Sequence, residues 1–307
     1  MSPPAVSETE VHNEKSINSP NAARWKGAMA EHTAIKKLPP EDTRKLFWSF
    51  GTCSRTLYFI LDRALDATDP LLEQASEPLA GGLAMRGEQC GMLWGAALAA
   101  GGAAARHCVD SARGTVLAIL AAQDLAHSFT RRAGHVDCRA VLRCDVTRPL
   151  GLLKAFSTGR FFACARLAET WAPEAIRTVL ERVSGDIPEE GALSCAAEAV
   201  RRVGGSEAAG VTASGLAGGL GLGGGGCGAL AAVIWHRTRD LLLADPEAVT
   251  YPSPEAKRIV TAFLVVTGGE IRCDQITGRR FPRAADHTTF LREGGCADLL
   301  AALTLDH

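Results

Sequence analysis

The chain has almost no net charge: 33 basic and 34 acidic residues among 307 leave a formal charge of −1. It therefore lacks the general electrostatic footprint of a nucleic-acid-binding protein, and no nucleic-acid partner is expected. It also lacks every short metal or haem motif. There is no Cys-x-x-Cys zinc knuckle, no Cys-x-x-Cys-His for covalent c-type haem and no His-Glu-x-x-His. The opening stretch, Met1-Ser-Pro-Pro-Ala-Val-Ser-Glu-Thr-Glu, has neither the basic n-region nor the apolar h-region of a secretory signal. The expected location is cytoplasmic, where thiols are kept reduced. Structural disulfides are thus disfavoured relative to metal ligation or redox cycling. Charge is absent from Ala208 to Trp235, a run long enough to cross a bilayer. Glycine dominates it, including Gly223 to Gly226, and the corresponding earlier segment carries Arg86 and Glu88. A buried, tightly packed segment is expected rather than a membrane span.

What the chain does have is cysteine. Eight of its ten cysteines fall into two ordered sets. Cys53, Cys90, Cys138 and Cys164 are spaced by 37, 48 and 26 residues; Cys195, Cys227, Cys273 and Cys296 by 32, 46 and 23. Their flanks agree as well. Leu79-Ala-Gly-Gly-Leu83 before Cys90-Gly91 reappears as Leu216-Ala-Gly-Gly-Leu220 before Cys227-Gly228. Phe129 and Gly134 precede Cys138 as Phe263 and Gly268 precede Cys273. Internal repeats set architecture, and here they imply a tail over residues 1–45 and two homologous four-cysteine units, 46–185 and 186–307.

Each unit resembles the small redox-active proteins with a Cys…Cys-Gly-Ala-x-x-Gly…Cys…Cys pattern. Cys195-Ala-Ala-Glu-Ala resembles the opening cysteine on a helix, Gly226-Cys227-Gly228-Ala229 the central motif, and Cys273-Asp-Gln-Ile-Thr-Gly278 the third. The first copy reads Cys90-Gly-Met-Leu-Trp-Gly95, without the alanine; the second reads Cys227-Gly-Ala-Leu-Ala-Ala232, without the last glycine. The family is also similar to part of the split-Soret cytochromes, a resemblance that implies an iron–sulfur site.

Periodicity points to helices. Leu57, Ile60, Leu61 and Ala64, and again Ile176, Val179, Leu180 and Val183, follow the i, i+3, i+4, i+7 spacing of one amphipathic face. Pro39-Pro40-Glu41-Asp42 has the chemistry of a helix start. Ile259 to Val266 is β-branched enough for a buried strand, but its counterpart, Leu120 to Phe129, is helical in composition, so helix is expected for both. The expected fold is all-α, two homologous helical units in tandem. The third cysteines are expected in glycine-bounded loops, and the second and fourth at helix borders.

Thiolates are nucleophiles, redox groups and soft metal ligands. Glycines beside Cys90 and Cys227 would let backbone N–H groups approach sulfur. Arg131, Arg132, Arg139 and Arg143 near Cys138, and Arg272, Arg279, Arg280 and Arg283 near Cys273, would favour thiolate. Cys108 and Cys144 have no counterparts and read as packing residues. His107, His127 and His135 are unmatched, which disfavours a shared Cys/His metal site. Gly219-Leu-Gly-Leu-Gly-Gly224 has the letters of a dinucleotide fingerprint but no preceding strand. Two functions remain ahead of a structural scaffold. In one, Cys53, Cys90, Cys138 and Cys164, and Cys195, Cys227, Cys273 and Cys296, ligate an iron–sulfur cluster or another thiophilic metal for electron transfer to an unidentified redox partner. In the other, pairs of these thiols cycle as a thiol–disulfide oxidoreductase. Keeping four thiols per unit slightly favours ligation. Assembly as a homo-oligomer is left open.

Overall fold

The computed structural model describes residues 40–186, 191–248 and 251–304, and among them there is no β-strand. Most of the expected tail, residues 1–39, falls outside the described residues. The all-α expectation holds. Helix α1 (Pro40–Phe50) is followed by α2 (Cys53–Ala64), α3 (Pro70–Ala75), a 3₁₀ turn at Glu77–Leu79, α4 (Gly91–His107), α5 (Ser111–Ala133), α6 (Cys138–Leu142), α7 (Pro149–Ser157) and α8 (Arg160–Ser184). Then come α9 (Cys195–Arg202), α10 (Glu207–Ala213), a second 3₁₀ turn at Ser214–Leu216, α11 (Gly228–Ala244), α12 (Pro254–Val266), α13 (Cys273–Thr277), α14 (Ala284–Arg292) and α15 (Ala297–Thr304). From α9 onward the order of elements repeats that from α2.

Local chemistry starts and stops these helices. Pro40, Pro70, Pro149 and Pro254 each open a helix, where a missing N–H costs nothing. Ser194, Ser206 and Ser253 cap α9, α10 and α12 by accepting the N–H of Ala197, Ala209 and Ala256, each at 3.2 Å. The expected amphipathic faces are buried at Leu57, Ile60 and Leu61 on α2 and at Val179, Leu180 and Val183 on α8. Residues 120–129 and 259–266, the ambiguous pair, both lie in helices.

The uncharged run from Ala208 to Trp235 is not one helix. It divides into α10, the 3₁₀ turn, a glycine-rich loop and the start of α11, and nearly all of it is buried. Among the described residues no helix is long and apolar enough to cross a membrane. The glycine that opens α11 shows how close the backbone packs. A Cβ on Gly228 would lie 1.7 Å from the Leu216 carbonyl oxygen. Since both groups are main chain, Gly228→Ala is expected to lower unfolding free energy by about 2–3 kcal/mol, read as a lower urea midpoint at unchanged slope.

The two halves are interlocked. Leu38–His307 is one compact unit, with α4 packed on α10 and α11 on α3. Gln89, buried at the end of the first glycine segment, donates its amide to the Gly219 carbonyl (2.7 Å) and accepts the Gly226 N–H (2.8 Å). Arg272 reaches back to Glu88 (3.0 Å) and Asp137 (3.6 Å). The Trp235 indole N–H donates to the Leu72 carbonyl at 3.3 Å.

Candidate functional site

Both tetrads are built on the same backbone frame. In the first half, Cys90 N–H donates to Val136 O (2.7 Å) and Cys138 N–H to Glu88 O (2.7 Å). In the second, Cys227 N–H donates to Ile271 O (2.8 Å) and Cys273 N–H to Gly225 O (2.6 Å). These bonds make two isolated antiparallel bridges, Gln89 with Asp137 and Gly226 with Arg272. The second and third cysteines of each set are thereby clamped together. The Leu-Ala-Gly-Gly-Leu segments also turn alike. Leu83 and Leu220 both hold positive φ, at 60° and 62°, a conformation that costs a non-glycine residue about 1–3 kcal/mol. Such strain persists only where the surroundings over-determine it.

Helix ends position the sulfurs. Cys53 and Cys195 are the first residues of α2 and α9, and Cys90 and Cys227 cap the N-termini of α4 and α11. The third cysteines depart from the loop expectation: Cys138 and Cys273 open the short helices α6 and α13. The fourth cysteines differ from each other. Cys296 immediately precedes α15, whereas Cys164 lies inside α8.

In the first tetrad the Cys53 sulfur lies against Gly91, so that the Cys53 and Cys90 thiols act on one another. Cys53 sulfur also accepts backbone N–H groups from Gly81, Ser54 and Cys53 itself. The Cys90 thiol, aided by those N–H groups, overcomes burial and holds the Cys53 thiol below its ordinary range. The same interaction raises Cys90 well above it, with burial and the neighbouring thiols Cys53, Cys138 and Cys164 adding to the rise. Burial, then the Cys53 charge, pushes Cys138 well up and Cys164 up to about 12. Four sulfurs therefore feel one another, and one of them is favoured as the anion. Gly91 makes room for it: a Cβ there would lie 2.5 Å from Cys53 sulfur. The glycine thus admits a neighbouring sulfur together with the Ala80 backbone, 2.9 Å from the same Cβ position.

The second tetrad surrounds one small apolar cavity of about 10 Å³, lined by Cys195, Cys227, Cys273 and Cys296 with Phe281 and His287. Burial would raise the Cys195 thiol, yet the His287 charge and hydrogen bond, with the N–H groups of Gly218 and Ala196, hold it low. Gly218 thus donates to Cys195 as Gly81 does to Cys53. Burial pushes Cys227 and Cys296 up to about 12 each, with the Cys195 charge adding to it, and raises Cys273 further.

The arginines do something other than expected. Cys138 is raised because burial, with the neighbouring thiols, outweighs the Arg139 charge, and Cys273 is raised by burial with the neighbouring thiols and Asp274. The guanidinium groups are instead engaged by carboxylates: Arg132 with Glu174 (2.9 Å), Arg139 with Asp145 (3.7 Å), Arg280 with Asp274 (2.9 Å) and Arg283 with Asp286 (2.8 Å). Arg279 stacks over Phe290. Cys144 is buried and Cys108 half-buried.

Thiols in fours have the number and softness that an iron–sulfur cluster takes. Their arrangement is another matter. Among the described residues no group of three or more His, Cys, Asp or Glu side chains is placed to hold a metal ion. The second cavity has room for about one water molecule.

A larger cavity has none of the four first-tetrad cysteines in its lining. About 600 Å³ opens between Met85, Arg86, Val146, Leu152, Tyr251 and Lys257. Tyr251 comes from the second half, donates its hydroxyl to Met85 sulfur (2.8 Å), and is raised by burial first and by the Cys53 and Cys138 charges next. A titration follows from this geometry. Alkylation of Cys53 should rise with pH through a midpoint below that of an ordinary thiol. Removing the donor in Cys90→Ala should move the midpoint upward, while Cys90→Ser, which keeps a donor, should move it less; iodoacetamide rates against pH read both.

No curated protein and no solved structure matched the chain. Residues 51–175, the segment that holds Cys53, Cys90, Cys138 and Cys164, are similar to the family described as "Putative redox-active protein (C_GCAxxG_C_C)".

Proposed function

We propose that this chain is a thiol redox protein in which Cys53 and Cys90 cycle between dithiol and disulfide. The observation that carries the reading is the placement of the Cys53 sulfur against Gly91, next to Cys90, with the Cys53 thiol lowered and the Cys90 thiol raised by their mutual interaction. Such a division is what exchange requires: a thiolate attacks, and a protonated neighbour waits to resolve. The attacking sulfur sits at a helix N-terminus, where the helix dipole favours an anion. It is also the more exposed of the two, Cys53 being partly open and Cys90 buried.

The cycle balances without a metal. Cys53 thiolate attacks one sulfur of a partner disulfide, forming a mixed disulfide and expelling the other sulfur as a thiolate. Cys90 then attacks Cys53 sulfur after losing its proton, which ends on the departing partner thiol. Two thiols of the protein are oxidised and one partner disulfide is reduced to two thiols.

We also infer that the two halves are copies of one ancestral unit, with boundaries near 46–185 and 186–307. Matching element order, matching cysteine clamps and the shared strain at Leu83 and Leu220 support it.

The test is a redox titration of the anaerobically purified chain in glutathione buffers, with free thiols counted by alkylation at each point. Two thiols of the first tetrad should vanish together in a single two-electron step. Stoichiometric iron, with the four first-tetrad thiols shielded from alkylation until a chelator removes it, would overturn the dithiol reading in favour of the cluster.

A further inference from the structure

The second tetrad differs from the first at the partner of its leading thiol. Cys53 sulfur lies against Gly91, next to Cys90, but Cys195 lines one small cavity with His287. His287 is 2% exposed and is the fourth residue of α14. The fourth residue of α7, the corresponding helix, is Leu152. The imidazole is held on three sides. Its Nδ1 faces the Leu193 carbonyl oxygen at 3.2 Å, Phe281 packs edge-on with ring centroids 5.0 Å apart, and Cys195 shares the small cavity that the ring lines. A carbonyl can only accept, so Nδ1 carries a proton and Nε2 is the nitrogen free to serve the thiol. The N–H groups of Gly218 and Ala196 add to the histidine in favouring the Cys195 thiolate. A cysteine with an adjacent base, itself oriented by a third group, is the usual construction of an activated nucleophile.

The surroundings select what such a nucleophile can meet. Cys195 is 5% exposed, and the cavity it shares with Cys227, Cys273 and Cys296 holds about 10 Å³. That is room for about one water molecule. Organic disulfides and alkyl peroxides are too large for it, whereas hydrogen peroxide, with two heavy atoms, needs only a small shift of the lining. We propose that Cys195, positioned by His287, is a hydrogen-peroxide-reducing site separate from the Cys53–Cys90 pair.

The chemistry closes on residues in the cavity. Cys195 thiolate attacks one peroxide oxygen and the O–O bond breaks. The leaving oxygen takes the proton of the imidazolium and departs as water, leaving a sulfenic acid on Cys195. A second tetrad thiol attacks that sulfur, and the hydroxyl leaves with the thiol proton as a second water. Two thiols are oxidised to one disulfide and one peroxide is reduced to two waters. An external dithiol restores the pair.

The proposal requires metal-free thiols, as the dithiol reading does, but not that Cys53 and Cys90 exchange. The experiment treats the reduced full-length chain with one equivalent of hydrogen peroxide in the presence of dimedone, followed by peptide mapping. Cys195 should be recovered first, as a dimedone adduct or in a disulfide with Cys227, Cys273 or Cys296. Cys53→Ser should leave its rate unchanged. Since a free thiol is only a few per cent thiolate at neutral pH, His287→Gln should slow Cys195 oxidation on the order of tenfold and remove the ultraviolet thiolate absorbance assigned to it by Cys195→Ser. The absorbance separates positioning from mere packing, and the wild-type map stands even where the variant fails to fold. Labelling that follows exposure, with Cys53, Cys108 and Cys296 modified and Cys195 untouched, would overturn the proposal. So would a folded His287→Gln variant with unchanged rate and absorbance. Loss of oxidation at Cys195 alone, with Cys53 and Cys90 still cycling against glutathione, would sink this inference and spare the dithiol reading; the reverse result would do the opposite.

Discussion

Cys53→Ser is expected to abolish the two-electron transition of the first tetrad, leaving Cys90 a slow, protonated thiol. The reason lies in how the pair divides its proton. Cys53 is the sulfur whose thiol is lowered, by Cys90 first and, against burial, by the N–H groups of Gly81, Ser54 and its own residue. Cys90 is buried and raised, and Cys138 and Cys164 are raised by burial as well. None of the three can take over as the attacking thiolate. Cys138→Ser and Cys164→Ser should therefore keep the transition, moving its potential only through the loss of a neighbouring thiol. A cluster would behave differently, since each of the four would supply a ligand and each substitution would weaken it. Thiol counting in glutathione buffers across the four variants reads the difference: loss in two variants for a dithiol, loss in all four for a cluster.

The second large effect is structural. Gln89→Leu should cost about 2–4 kcal/mol, because it leaves the Gly219 carbonyl and the Gly226 N–H without the partners they have across the halves, at about 1–3 kcal/mol for each buried unmet group. Arg272 bonds to Glu88 and Asp137 at the same joint, with its side chain only about a third exposed. Those pairs are half-solvated and are expected to matter less. Urea unfolding of Gln89→Leu should show a lower midpoint. A broadened or biphasic transition would mean that the halves come apart before they unfold. A midpoint unchanged from wild type would mean that Gln89 does not join them.

Helices are legible in the sequence because burial has a period. The faces through Leu57 and Leu61, and through Val179 and Val183, announce themselves, and the β-branched run at Ile259 resolves to helix beside its counterpart at Leu120. Glycine beside cysteine is legible as close approach, though which sulfur approaches is not: Gly91 accommodates Cys53, thirty-eight residues earlier in the chain. The arginines mislead because charge near a cysteine in sequence says nothing of the carboxylate that meets it in space. Asp274 and Glu174 take the guanidinium groups, and burial decides Cys138 and Cys273. His287 escapes notice for the opposite reason. It has no counterpart in the first half, so a search for duplicated features passes over it, and only packing brings it to Cys195. The lone histidine is where the two halves differ most in chemistry.

The most direct measurement is a disulfide map of the chain oxidised stoichiometrically with glutathione disulfide after anaerobic, metal-free reduction. Digestion under alkylating conditions and mass spectrometry should recover a Cys53–Cys90 linkage as the principal product of the first tetrad, with Cys138 and Cys164 alkylated. Recovery of Cys53 and Cys90 as free thiols, or of Cys53 joined predominantly to Cys138 or Cys164, would contradict the account.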